Sequence, residues 1–82
     1  MKSRKLLLRI AEGNFKNIRF RDLQRLLGEL GFTLARVSGS HHIYTHPGIM
    51  DLVNIQNVAG EAKPYQIRQL LLLIEKYGLA EE

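Results

Sequence analysis

The chain has 82 residues, 45% hydrophobic and 24% charged, with 7 Gly, 2 Pro and no Cys. That length suits one domain with a small core, and the lack of Cys excludes a disulfide framework, a thiolate metal site and a thiol nucleophile. The net charge of +4 is unevenly spread: residues 1–40 hold nine basic and three acidic residues (+6), residues 41–82 three and five (−2).

The opening Met-Lys-Ser-Arg-Lys is basic, but no long apolar core or small-residue cleavage site follows, so no signal peptide is expected. No apolar run reaches the ~20 residues of a membrane span. These features predict a soluble, cytoplasmic protein. Ser3 reads as the N-cap of a first helix, Arg4 to Glu12, with Leu6, Leu7, Ile10 and Ala11 on one face and Gly13 past its end. Residues 14–19 form a polar connector. Leu23, Leu26, Leu27 and Leu30 then recur at helical spacing, predicting a second helix from about Arg21 to Leu30, ended by Gly31.

The period changes after Gly31. Phe32 to Val37 reads as a strand, Ser38-Gly39-Ser40 as a tight turn, and His41 to His46 as a second strand stopped by Pro47-Gly48. Asp51 to Gln56 reads as a third strand and residues 57–63 as a loop. Pro64 suits the first turn of a last helix that runs to about Tyr77, with Gly78 as its stop. Ile67, Leu70, Leu71 and Ile74 form its core stripe. Leu72 and Leu73 widen that stripe towards a second surface, either the first helix or another chain. The predicted order is α-α-β-β-β-α: an α+β, two-layer domain with a three-stranded antiparallel sheet, helices on one face, and the other face open to a ligand. The whole chain, 1–82, reads as a single domain, with residues 1–18 as an N-terminal helical extension.

All three histidines lie between His41 and His46. Alternation along a strand sends His41, Ile43 and Thr45 one way and His42, Tyr44 and His46 the other. Tyr44 is the bulky amphipathic residue and suits the helical side, which puts His41 on the open face. A shared metal ion fits this spacing poorly. His41 and His42 point apart, and His42 and His46 stand about 13 Å apart at ~3.3 Å per residue, far beyond zinc–nitrogen distances. No metal site and no cofactor are expected. Proton transfer fits better, because imidazole is the side chain that titrates near neutral pH. RNA supplies its own nucleophile, the ribose 2′-hydroxyl, so one exposed His beside a cation could cleave it. The competing reading is a sheet-face His with no role.

Other residues carry the same double reading. Gly39 either supplies the turn's backbone angles or lets a phosphate approach, with Ser40 offering a donor. Arg19, Arg21, Arg25 and Arg36 either contact phosphates or form a solvated face. Lys63 precedes Pro64 at a helix start, which either attracts phosphate or marks only where the helix begins.

These motifs converge. Gly31-Phe32, Arg36, Gly39-Ser40-His41-His42-Ile43-Tyr44 and His46-Pro47, followed by Lys63-Pro64, Ile67-Arg68 and Leu70-Leu71, resemble the HicA toxin family over roughly residues 20–78. The resemblance implies a double-stranded-RNA-binding-domain-like fold with residues 19–78 as its core. It implies a metal-independent mRNA-cleaving ribonuclease, the toxin of a toxin–antitoxin pair, held inactive by a HicB antitoxin over the active face. The family's active-site His maps onto His41, presented by Gly39 and Ser40, with Lys63 a weaker carry-over. Arg25 and Arg36 are the basic residues expected to join them on the RNA. Two features depart from short family members. About 18 residues precede the matching region, and Val53-Asn54-Ile55-Gln56-Asn57 stands where many members carry a Val-Pro-x-His-Pro-like segment. The alternative is a non-catalytic RNA-binding or antitoxin-interaction module of the same fold.

Overall fold

A computed structural model describes residues 1–81. Helix α1 spans Ser3–Ala11 and helix α2 Phe20–Glu29. Lys2, not Ser3, caps α1: its carbonyl accepts the first helical bond from Leu6 N at 3.0 Å, which defines the cap position. Ser3 becomes the first helical residue and its side chain is buried. The apolar spacing behaves as expected, with Leu6 and Ile10 of α1 and Leu23, Leu26 and Leu27 of α2 buried.

Strand β1 is Thr33–Ser38, β2 is His41–Thr45, β3 is Val53–Val58 and β4 is Glu61–Ala62. Helix α3, Pro64–Tyr77, has Pro in its first turn and Gly78 in the left-handed conformation behind it, the asymmetry the sequence predicts. The strands form one antiparallel sheet in the order β1-β2-β3-β4.

The expected three-stranded sheet is therefore corrected to four strands. The predicted loop at 57–63 is a hairpin. Ala59 and Gly60 both take positive φ, 52° and 85°, as the two central residues of a type I′ turn do. Gly60 N donates to Asn57 Oδ1 at 2.8 Å. β3 also starts at Val53, not Asp51, because the preceding turn folds back on His46: Ile49 N reaches His46 O at 3.2 Å. The β4 edge is closed from the other side. Phe20 N donates to Gly60 O and Ala62 N to Ile18 O, both at 2.9 Å, so the end of the connector lies along β4.

Tyr44, Val53 and Ile55 point into one hydrophobic cluster with Leu6, Ile10, Leu23, Leu26, Leu27, Ile67 and Leu70. Each fully buried Leu or Ile there contributes about 1.5–3 kcal/mol relative to exposure. α3 packs on β3, and α1 packs against α2 and α3. Leu73 and Ile74 lean on the core while Leu72 stays exposed, so α1 covers only part of the wide stripe on α3. No helix of the described residues is long and apolar enough to cross a membrane.

Candidate active site

Cross-strand register decides which side chains share the face away from the helices. Ser38, His41 and Gln56 stand opposite one another across β1, β2 and β3, and Arg36, Ile43 and Asn54 form the next row. Directly paired residues project to the same side of a sheet. Val53 and Ile55 project to the core, so Asn54 and Gln56 project away from it. His41 is thus on the uncovered face, half-buried among polar neighbours.

The Gly39-Ser40 turn holds His41 at the strand's first position. Gly39 has φ 59°, and a positive φ at only the first central residue belongs to a type II′ hairpin turn. A Cβ at Gly39 would meet nothing within 4 Å. The turn thus needs glycine for its backbone angle and leaves open space beside it. The Ser40 carbonyl accepts from Asn57 N at 3.1 Å and lies 3.2 Å from His42 Nδ1. Ser40 Oγ accepts from Gln56 Nε2 at 3.4 Å.

His41 Nδ1 lies 3.2 Å from Asn54 Oδ1. An amide oxygen only accepts, so in this pairing Nδ1 carries the proton and the neutral ring keeps its lone pair on Nε2. No described residue bonds to that Nε2. The arrangement can therefore take a proton from a molecule laid on the sheet. Arg36 lies on the same face, diagonal to His41 across the β1–β2 ladder. Diagonal neighbours are about 7–8 Å apart, within reach of a long side chain.

The other two histidines have different surroundings. His46 Nδ1 accepts from Gly48 N at 2.9 Å, so its proton sits on Nε2, which donates to Leu30 O at 3.1 Å. Its ring also meets Phe32 edge-on, with centroids 5.0 Å apart. Both nitrogens are consumed in tying the β2–β3 turn to the end of α2. His42 donates from Nδ1 to the Ser40 carbonyl and packs against Phe20, centroids 4.7 Å apart. Among the described residues no three His, Cys, Asp or Glu side chains converge.

Of the sequence-predicted site residues, Arg36, Gly39, Ser40 and His41 come together at one end of the open face. Lys63 caps the start of α3, just ahead of Gln66. Gln66 Oε1 of α3 accepts from Gln56 N at 2.7 Å, and Gln56 is the residue opposite His41. Lys63 Nζ lies 5.8 Å from the Tyr65 ring centroid. Arg25 is not brought to this group: it is exposed on α2, in the layer behind the sheet. Sequence reasoning missed Asn54, Gln56 and Gln66. The alternation Val53-Asn54-Ile55-Gln56 held the signal, since its polar half had to share the face of His41 once the apolar half was buried. A cavity of about 330 Å³ between α1 and the start of α2 is lined by Met1, Leu6, Asn17, Ile18, Arg19 and Asp22, and no histidine reaches it. A polymer lying across a sheet needs no such pocket.

The model of a family described as the HicA toxin of bacterial toxin–antitoxin systems matches residues 20–79, from the first residue of α2 to just past α3. No curated protein and no solved structure matches the chain.

Proposed function

Because the chain belongs to the HicA toxin family, and so to a group of proteins that work with an antitoxin, we propose that it is an endoribonuclease toxin that cleaves mRNA with His41. The sheet acts as a double-stranded-RNA-binding-domain-like platform in this reading, with residues 19–78 as the family core and residues 1–18 as an extension of the same cytoplasmic domain. The single supporting observation is the pairing of His41 Nδ1 with Asn54 Oδ1 at 3.2 Å on the uncovered face.

The chemistry follows from that pairing. His41 Nε2 removes the proton of a ribose 2′-hydroxyl. The freed oxygen attacks the adjacent phosphorus, the bond to the 5′-oxygen breaks, and that oxygen leaves with a proton from solvent. Negative charge grows on the phosphate oxygens as the new bond forms. Arg36, on the same face, stabilises it, Gly39 and Ser40 line the end of the face where the phosphate approaches, and Lys63 contacts the RNA from the start of α3. The partner is a HicB-type antitoxin that covers this face and so blocks RNA and His41 together.

The test compares wild type with His41→Ala for RNA cleavage in the presence of a chelator, and for growth arrest on expression. The expected outcome is cleavage and arrest by wild type, with cleavage lowered about 10²–10⁴-fold in the variant. Equal cleavage by both proteins removes His41 from the mechanism. Salt-sensitive RNA binding by wild type without any product selects the non-catalytic RNA-binding or antitoxin-interaction module instead.

A further inference from the structure

The family match begins at residue 20, and charge divides almost at that boundary. Residues 1–18 hold five cations (Lys2, Arg4, Lys5, Arg9, Lys16) and one acid, Glu12, for +4. Residues 19–82 hold seven of each sign, for zero. The whole excess of positive charge therefore lies in the extension.

That charge is also arranged. Lys2, Lys5 and Arg9 recur at spacings of three and four, so they form one row along α1. An Arg9 guanidinium nitrogen donates to the Lys16 carbonyl at 2.7 Å, which folds the connector back and holds the exposed Lys16 next to the end of the row. Neither ion pair among the described residues involves any of these four cations. Like charges one turn apart weaken a helix, so α1 carries this row at a cost to its own stability.

We infer that the basic row Lys2-Lys5-Arg9-Lys16 is a second RNA-binding surface, which grips the phosphate backbone without regard to sequence. α1 packs on α2 and α3, whereas His41 lies on the far side of the sheet. The row thus holds a long RNA at a distance from the segment being cut. A chain whose remaining residues sum to zero gains its long-range attraction for RNA from this row. An acidic protein partner fits less well. The centre of a protein interface is typically desolvated and rich in aromatic residues, whereas α1 has no aromatic residue and leaves Leu8 as its one exposed large apolar side chain. A membrane surface fits less well still. Leu6 and Ile10, the apolar face that would enter lipid, are sealed in the core.

The inference rests on RNA being the substrate, and the experiment separates the two. Binding is measured with full-length His41→Ala protein and a long unstructured RNA, with and without Lys2→Gln, Lys5→Gln and Lys16→Gln together. These side chains are exposed, and unchanged thermal melting verifies the fold. The triple change is expected to lower affinity at least about tenfold at low salt and to reduce the slope of log K against log salt by about 2. In the His41 background, cleavage of an RNA of about six nucleotides, which fits one face, should be unchanged by the triple change. An unaltered slope overturns the inference. So does a loss confined to antitoxin binding, or wild-type capture by vesicles of anionic lipid in preference to RNA. If wild type binds with the expected slope yet cuts nothing, the second surface stands and the cleavage reading falls.

Discussion

Three imidazoles within six residues are given different surroundings by hydrogen bonds that differ by one atom at a time. His46 has both nitrogens occupied by backbone groups, whereas His41 has one amide oxygen on Nδ1 and nothing on Nε2. In the proposed reaction Asn54 would be a positioning residue, since its Oδ1 faces His41 Nδ1 and so sets the ring and its tautomer. Asn54→Ala should lower cleavage by roughly tenfold, a part of the 10²–10⁴-fold a placed base supplies. Asn54→Asp keeps an acceptor and should restore activity with an altered pH–rate profile, a response that a purely structural role would not give. His46→Ala should act oppositely: about 1–3 kcal/mol of stability lost in urea unfolding, from two broken hydrogen bonds, with cleavage per folded molecule retained. At this scale the sequence was half legible. Alternation sorted His41 from His42 and His46, because Tyr44 had to be buried. The partner of His41 was hidden, because Asn54 is 13 residues away and meets it only through register.

Elements were legible where punctuation was strong. Pro64 and Gly78 bracket α3 as the sequence indicates, and the leucine spacing marks α2 to within a residue. The β3–β4 hairpin was missed because its turn reads Ala59-Gly60, where Asn-Gly or Asp-Gly is the usual signal. Ala59 holds φ 52° there, a conformation that costs a residue with a Cβ about 1–2 kcal/mol. Ala59→Gly relieves that cost and loses part of it to the greater freedom of the unfolded chain. The variant should be stabilised by about 0.5–1 kcal/mol, read as a higher urea midpoint with unchanged slope. A lower midpoint would mean that the turn does not hold this geometry in solution. The bulge in β1 between Leu34 and Arg36 was equally illegible, since one extra residue leaves no mark on composition. Without that shift Arg36 would pair with His42 and project into the helical side.

Across the whole molecule, the first helix and the last share one core. Leu6 and Ile10 are fully buried in the same cluster as Ile67 and Leu70. Leu6→Ala should therefore cost about 2–5 kcal/mol and lower Tm by roughly 10 °C or more in a chain of this size. A shift below about 3 °C would mean that α1 does not belong to the core. The two-layer α+β arrangement was legible from the change of apolar period at Gly31; the joining of residues 18–20 to the β4 hairpin was not, because backbone pairing 40–44 residues apart has no local signature. That joining governs how the protein comes into being. The ribosome releases Leu6 and Ile10 well before Ile67 and Leu70, their partners in the core, at about 5–20 residues per second. A chain released only as far as β3 lacks both β4 and the helix that packs on β3. The sheet that carries His41 thus gains its last strand and its backing helix together, after residues 61–77 emerge.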